Sequence, residues 1–287
     1  MSRQMTGWRV FVMAMALGGW CDPADAAPIF GGVMETLIRD GYDPEWIIRL
    51  YADTRAEFLP PVAQINIKHE EDTAAYRTFL EEKNLAIARE YFRRHGATLR
   101  RFSEQTAIPP EIVVAILLIE TKCGLHARQA PVLNVLSTIV ICAEDGQVGK
   151  SYETLKVQYP ELTKAAVRRR AQTRSRWAYK ELRAFIDWIA AHPPEDVYLI
   201  QGSWAGALGL PQFMPSSIKV FGADGDGDGR IDLYNDTDAI ASVCNYLRKN
   251  GWKADRAARA QRRVIWKYNH SPLYVETVLN VAERISE

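Results

Sequence analysis

The sequence carries no excess of charge of either sign. Its 287 residues include 36 Lys+Arg against 35 Asp+Glu, a formal net charge of +1. A nucleic-acid binder is expected to show a basic excess, so that class is set aside. Beyond the N-terminus, no segment is long and apolar enough to span a bilayer. Histidine is scarce: the five residues fall into no ligand spacing. No Ser-His-Asp or Walker-type arrangement stands out. The four cysteines, Cys21, Cys123, Cys142 and Cys244, have spacings that resemble no metal site.

The N-terminus reads as a signal peptide over residues 1–26. Arg3 and Arg9 supply positive charge, Val10 to Trp20 a short apolar core, and Ala24-Asp25-Ala26 an A-x-A cleavage pattern. Cleavage after Ala26 avoids placing Pro28 at the first mature position. Cys21 offers a lipid anchor as the alternative, but bacterial lipoprotein signals want a small residue where Trp20 stands. A soluble exported protein of the periplasm or cell envelope is expected. An export compartment permits disulfides, and the three remaining cysteines leave one thiol over. Cys123 and Cys142 are the expected pair. With 47% hydrophobic residues, residues 27–287 could form one large domain or two small ones.

The informative centre is Ile112 to Glu120, followed by Thr121-Lys122-Cys123-Gly124. Pro109 and Pro110 suit a helix start, Glu111 suits its positive pole, and Gly124 suits its stop. Between them almost every residue is apolar, which predicts a helix buried on all sides. Glu120 is then a carboxylate at the inner end of an apolar helix. Desolvation and the helix dipole both raise its expected pKa, which suits a proton donor near neutral pH. Pairing with Lys122 or Arg128, or simple exposure, is the competing reading.

Upstream, Asp43 to Tyr51 reads as a helix with an acidic start, Pro60-Pro61 as a break followed by an extended link through Asn66, and Thr73 to His95 as one long amphipathic helix. Tyr76 and Phe79 share one face of it. Downstream, Val132 to Cys142 is an apolar helix and Val148 to Arg174 a basic one, whose Arg168-Arg169-Arg170 reads as a solvated face. Trp177 to Ala191 is another amphipathic helix. Helices are also expected over Thr237 to Asn250 and Tyr274 to Ile285.

Gly202 to Ser217 is glycine-rich. Gln212 offers a donor and an acceptor beside Trp204 and Phe213, a mixture that suits a sugar, although a purely structural turn fits as well. Asp224-Gly-Asp226-Gly-Asp228-Gly229-Arg230-Ile231-Asp232 follows. Carboxylates at positions 1, 3 and 5 with glycine at 6 match the calcium loop of an EF-hand. Arg230 would contribute its carbonyl and Asp232 stands at position 9. Position 12 is Asn235 where Glu is expected, and Asp238 could close a slightly longer loop. A flexible acidic turn is the alternative.

Ile119-Glu120-Thr-Lys-Cys-Gly124, the block from Gly202 to Ser217, the Asp-rich loop and Lys267-Tyr268-Asn269 occur in one order. In that order the chain resembles the membrane-bound lytic murein transglycosylase B family, including its soluble form, from about Tyr76 to the end. The resemblance implies a mostly α, lysozyme-like fold over about 76–287, with an EF-hand-like loop at 224–238 and minor β content. It implies non-hydrolytic cleavage of the β-1,4 bond between N-acetylmuramic acid and N-acetylglucosamine in peptidoglycan strands. Glu120 would serve as acid and then base. Ser203, Gln212 and Asn269 would hold the sugar, while Phe213, Tyr246, Tyr268 and Tyr76 would wall the groove. A structural Ca2+ would sit among Asp224, Asp226, Asp228, Arg230, Asp232 and Asp238. Lys122, Cys123 and Pro211 depart from the family pattern. A goose-type lysozyme, a non-catalytic wall-binding module and a calcium-regulated interaction protein are the competing readings.

Overall fold

The computed structural model describes residues 29–67, 73–127, 129–254 and 257–286. The expected signal peptide, Cys21 and Arg128 lie outside them. In chain order the helices are α1 (Gly31–Arg39), α2 (Pro44–Tyr51), α3 (Pro60–Ile67), α4 (Thr73–Thr78), α5 (Glu82–Thr106) and α6 (Pro110–Thr121). A short strand β1 (Ala130–Pro131) leads to α7 (Val132–Ile141), α8 (Asp145–Gln158) and α9 (Lys164–Ala191), and β2 (Gln201–Gly202) follows. Four helices complete the described chain: α10 (Pro215–Phe221), α11 (Asp236–Lys249), α12 (Ala258–Tyr268) and α13 (Pro272–Ser286). The two strands pair antiparallel, Ala130 opposite Gly202. The mostly helical expectation therefore holds. No single described helix is long and apolar enough to cross a membrane.

The described residues fall into two compact units, the first built from 73–127 and 207–286, the second from 29–67 and 129–206. Residues 76–286 thus contribute to both. In the first unit, α6 is the central helix: every residue from Ile112 to Thr121 is buried, and α5 and α13 pack against it. Each enclosed Val, Leu or Ile contributes about 1.5–3 kcal/mol of hydrophobic stabilisation, which explains an apolar run without a polar face. In the second unit, α7 packs on α9 and α3.

Several boundaries differ from the sequence expectation, each for a local reason. Pro60-Pro61 begins helix α3 instead of breaking one, because proline is tolerated where the first-turn amides have no intrahelical partner. The helix expected over Thr73 to His95 is interrupted at 79–81. Asn84 Nδ2 donates to the Thr78 carbonyl at 2.7 Å and so terminates α4, while α5 continues past a kink at His95 (φ −104°, ψ 15°). The basic helix expected over Val148 to Arg174 is two helices. Tyr159, which precedes Pro160, is extended (φ −128°, ψ 76°), and Thr163 caps the start of α9 through Ala166 N–H at 3.2 Å. That helix then runs unbroken through Trp177. On the basic run, Arg168 pairs with Asp145 at 2.7 Å.

The expected Cys123–Cys142 bridge is not formed; Cys123, Cys142 and Cys244 are free. Cys142 is buried in an apolar cluster of the second unit with Val148 and Val167, and its thiol donates to the Thr138 carbonyl at 3.1 Å. Cys123 belongs to the first unit.

Candidate active site

Helix α6 stops one residue after Glu120. Lys122 N–H donates to the Leu118 carbonyl at 2.8 Å and Cys123 N–H to the Leu117 carbonyl at 3.0 Å. This closure puts Lys122, Cys123 and Gly124 in left-handed backbone, at φ +50°, +56° and +94°. The helix therefore ends at Thr121, with Lys122 as its cap, three residues before the Gly124 at which the sequence suggested a stop. A left-handed conformation costs an L-residue about 1–2 kcal/mol, so two such residues beside one carboxylate mark a locally strained site.

Glu120 is 1% exposed. Its Oε1 accepts a hydrogen bond of 2.9 Å from the hydroxyl of Tyr274 on α13. Tyr274 is itself buried, and its ring stacks on Tyr268 at 6.2 Å and 7°. The sequence reading placed Tyr274 only at the start of a helix. The two residues are 154 positions apart, and no periodicity joins them.

The next residue, Thr121, stitches α6 to the glycine-rich stretch. Its Oγ1 donates to the Leu210 carbonyl at 3.0 Å and accepts Gly124 N–H at 3.0 Å. Leu210 N–H donates to the Leu233 carbonyl at 2.9 Å. The Tyr268 hydroxyl donates to the Pro211 carbonyl at 2.6 Å, and Leu208 pairs with Phe213 across the turn. Gln212 stands in this turn with φ +50°; it is buried, and its Nε2 donates to the Gly209 carbonyl at 2.8 Å. Part of its amide thus shapes its own loop.

Behind the turn, Phe213, Tyr246 and Tyr268 pack ring on ring, with centroids 5.8 Å (Phe213–Tyr246), 6.0 Å (Phe213–Tyr268) and 4.7 Å (Tyr246–Tyr268) apart. Phe213 is fully enclosed, so it backs the turn from within. The Tyr246 hydroxyl donates to the Lys267 carbonyl at 2.7 Å. Asn269, buried, caps the end of α12 in extended backbone. Tyr76, also buried, lies on α4, which packs against α13. Glu120, Tyr274, Tyr268, Tyr246 and Phe213 are thus one connected set within the first unit. Ser203 belongs to the second unit, where it opens a turn: Gly206 N–H donates to its carbonyl at 2.8 Å, and Ala205 N–H donates to its Oγ at 3.3 Å.

The acidic loop brings a subset of the expected ligands together. Carboxylate oxygens of Asp224, Asp226 and Asp238 lie within 4.8 Å of one another. Asp238 accepts Gly225 N–H and Asp232 N–H, each at 2.7 Å, and so pins both ends of the loop. Burial holds its carboxyl above the usual range. Backbone N–H donors, Gly229 first, hold Asp224 below it. Asn235 replaces the expected acid with two other tasks. Its side chain caps α11 through Thr237 N–H at 2.7 Å and donates to Asp226 at 3.0 Å. Asp228 and Asp232 accept the local N–H groups of Arg230 and Tyr234, at 2.8 Å each. Three convergent hard oxygen donors around one point fit a calcium ion.

Residues 26–262 match the family model described as the transglycosylase SLT domain. The chain belongs to that family. The SLT-domain chain is 32% identical, over 183 residues, to the membrane-bound lytic murein transglycosylase B of Escherichia coli K12; the match spans 63% of this chain and 43% of that protein. It therefore covers less than half the length of this relative. Among solved structures, the E. coli lytic transglycosylase SLT35 in complex with calcium superposes with a TM-score of 0.70 at 21% identity, covering 90% of this chain and 93% of that one. Soluble lytic transglycosylase SltB1 of Pseudomonas aeruginosa gives 0.71 at 23% identity, covering 91% and 98%. SltB3 of the same organism, solved in complex with NAG-NAM-pentapeptide, gives 0.70 at 19% identity, covering 92% and 79%. These likenesses show the lysozyme-like fold of lytic transglycosylases.

Proposed function

We propose that this SLT-domain chain is a peptidoglycan lytic transglycosylase in which Glu120 serves as acid and then base. The observation that carries the reading is the enclosed Glu120 carboxyl, held by the Tyr274 hydroxyl at the end of a buried helix. Enclosure disfavours the carboxylate anion and so suits Glu120 to hold a proton before reaction. Glu120 donates that proton to the oxygen of the MurNAc-β-1,4-GlcNAc bond. As the bond breaks, the acetamido oxygen of the muramic acid supports the anomeric carbon. The Glu120 carboxylate then takes the proton of the C6 hydroxyl, whose oxygen attacks that carbon and closes a 1,6-anhydro ring. Glu120 ends protonated, and no water is consumed. Ser203, Gln212 and Asn269 bind the sugar, and Phe213, Tyr246, Tyr268 and Tyr76 shape the groove. The SltB3 complex with NAG-NAM-pentapeptide supports glycan strands as the substrate class. Export through residues 1–26 to the periplasm or cell envelope, the location expected from the sequence, would bring the chain to that substrate.

Mass spectrometry of muropeptides from sacculi treated with the wild type tests the reaction class. Anhydro-muropeptides are expected. Reducing ends, heavier by one water, would make the chain a lysozyme-type hydrolase instead. Tyr274→Phe is expected to lower kcat about tenfold with KM little changed, because it removes one hydrogen bond to the reacting carboxyl and not the carboxyl itself. An unaltered kcat would show that Tyr274 does not hold Glu120 in its working position.

Calcium, when bound, supplies a structural cross-link within the acidic loop, held by Asp224, Asp226 and Asp238. Chelation with EDTA is expected to lower Tm while leaving activity at low temperature intact. A ligand at about a hundredfold its Kd stabilises by about 2.7 kcal/mol, which sets the scale of the loss. Melting that is the same in EDTA and after calcium is added back would remove the site.

A further inference from the structure

Within the second unit, a buried polar pair lies under the turn that carries Ser203. Asn66 on α3 is 1% exposed and Arg174 on α9 is 2% exposed. Arg174 Nη2 donates to Asn66 Oδ1 at 2.5 Å, and its guanidinium lies 3.8 Å from the ring centroid of Trp177. Burial lowers the Arg174 pKa to about 9, which still leaves it charged at neutral pH. A desolvated cation in an apolar cluster is costly unless its geometry is specified, and a planar guanidinium stacked on indole specifies it.

The pair is directional. With its oxygen taken by Arg174, the Asn66 amide must present its Nδ2 the other way. There it donates to two carbonyls at 2.9 Å each, Val62 on its own helix and Trp204. The Trp204 carbonyl belongs to the second residue of the turn from Ser203 to Gly206. That turn is already closed by Gly206 N–H on the Ser203 carbonyl. On its far side it is seated against Leu136: a Cβ on Gly206 (φ +82°) would stand 2.7 Å from Leu136 Cδ2. The side chain of Trp204 packs into the same cluster as Trp177, Val62 and Val135. The closing bond does not hold the central peptide of the turn, between Trp204 and Ala205; the Asn66 bond holds that peptide by its carbonyl. Ala205 N–H, on that same peptide, is the donor to Ser203 Oγ, so fixing the peptide also orients the hydroxyl.

We infer that Asn66, locked in orientation by Arg174, is a positioning residue for Ser203: it fixes the peptide whose N–H orients the hydroxyl that binds the glycan strand. The inference rests on the sugar-binding role proposed above for Ser203. It assigns no chemistry to Asn66 or Arg174, and predicts an effect on substrate binding separable from stability.

Asn66→Asp separates the two. It keeps the acceptor for Arg174 and removes the donor to Trp204. Kinetics on soluble glycan strands, with thermal melting alongside, are measured for the wild type, Asn66→Asp, Ser203→Ala and the double variant. The expected result is a KM raised about 3- to 10-fold in Asn66→Asp with kcat and melting near wild type, the scale of one hydrogen bond. The double variant is then no worse than Ser203→Ala alone, since the two changes act through one hydroxyl. Additive KM effects, or a wild-type KM in Asn66→Asp beside a raised KM in Ser203→Ala, overturn the inference. A wild-type KM in Ser203→Ala overturns the role of Ser203 itself, while anhydro products from that variant would leave the transglycosylase reading standing. Arg174→Lys, measured in parallel, keeps the charge but not the planar fork. It is expected to raise KM in the same direction, and it carries the test if Asn66→Asp does not fold; an unchanged KM then overturns the inference.

Discussion

Glu120→Gln is expected to lower kcat on glycan strands by about 10³- to 10⁴-fold while leaving the fold intact. General acid–base catalysis contributes about 10²–10⁴-fold for a positioned group, and here one group serves both halves of the reaction, so the upper part of that range applies. Glutamine keeps the shape and the acceptor oxygen, so the 2.9 Å bond from Tyr274 can persist. What it lacks is a transferable proton. The carboxyl is 1% exposed and neutral before reaction, and a neutral amide of the same shape replaces it without adding or removing a buried charge, so Tm should stay near wild type. Turnover followed by muropeptide release, with melting as the control, checks both halves. A folded variant that retains more than about a tenth of wild-type turnover would remove Glu120 from the chemistry, because the loss would then fall below what a general acid supplies.

Gly209→Ala is expected to be the most damaging small substitution in the first unit. Gly209 has φ +68°, and a Cβ there would stand 2.3 Å from the Cβ and the carbonyl oxygen of Leu233. The obstacle is mainly backbone, and the Leu210–Leu233 hydrogen bond holds it in place. Overpacking costs about 1–3 kcal/mol and a left-handed alanine about 1–2 more, so a loss of about 3 kcal/mol is expected. At about 2–4 °C per kcal/mol for a chain of this size class, Tm should fall by about 10 °C. Activity should fall with it, since the displaced turn carries Gln212 and receives Thr121. Gly227→Ala is the control: its φ is +84°, but nothing lies within 4 Å of the added methyl. It should cost only the backbone strain of about 1–2 kcal/mol. Equal melting of the two alanine variants would show that the contact with Leu233 is soft.

The core helix, the acidic loop and Glu120 were legible because each is written within a few consecutive residues. Pro109-Pro110 and the apolar run define α6 by local rules, and alternating aspartates with glycine between them define a tight loop of oxygen ligands. The Asn235 departure was legible as a departure, and Asp238 as its replacement. What stood at position 12 instead, a helix cap that also binds Asp226, required the position of α11. The helix boundaries at Pro60, Asn84 and Thr163 were misread or missed because one side-chain hydrogen bond or one proline placement outweighs average propensity.

Composition and local spacing by themselves marked a series of helices, a buried helix ending in a carboxyl and a tight acidic loop. Only the tertiary structure decided that Tyr274 holds Glu120, that Thr121 and Leu233 grip the Gln212 turn, that Cys123, Cys142 and Cys244 stay free, and that Asn66 reads the turn beside Ser203. The division has one physical cause. Helix periodicity and loop geometry depend on neighbours a few residues apart, whereas these hydrogen bonds join groups as many as 154 positions apart. They form only after packing has absorbed the entropy of bringing such groups together.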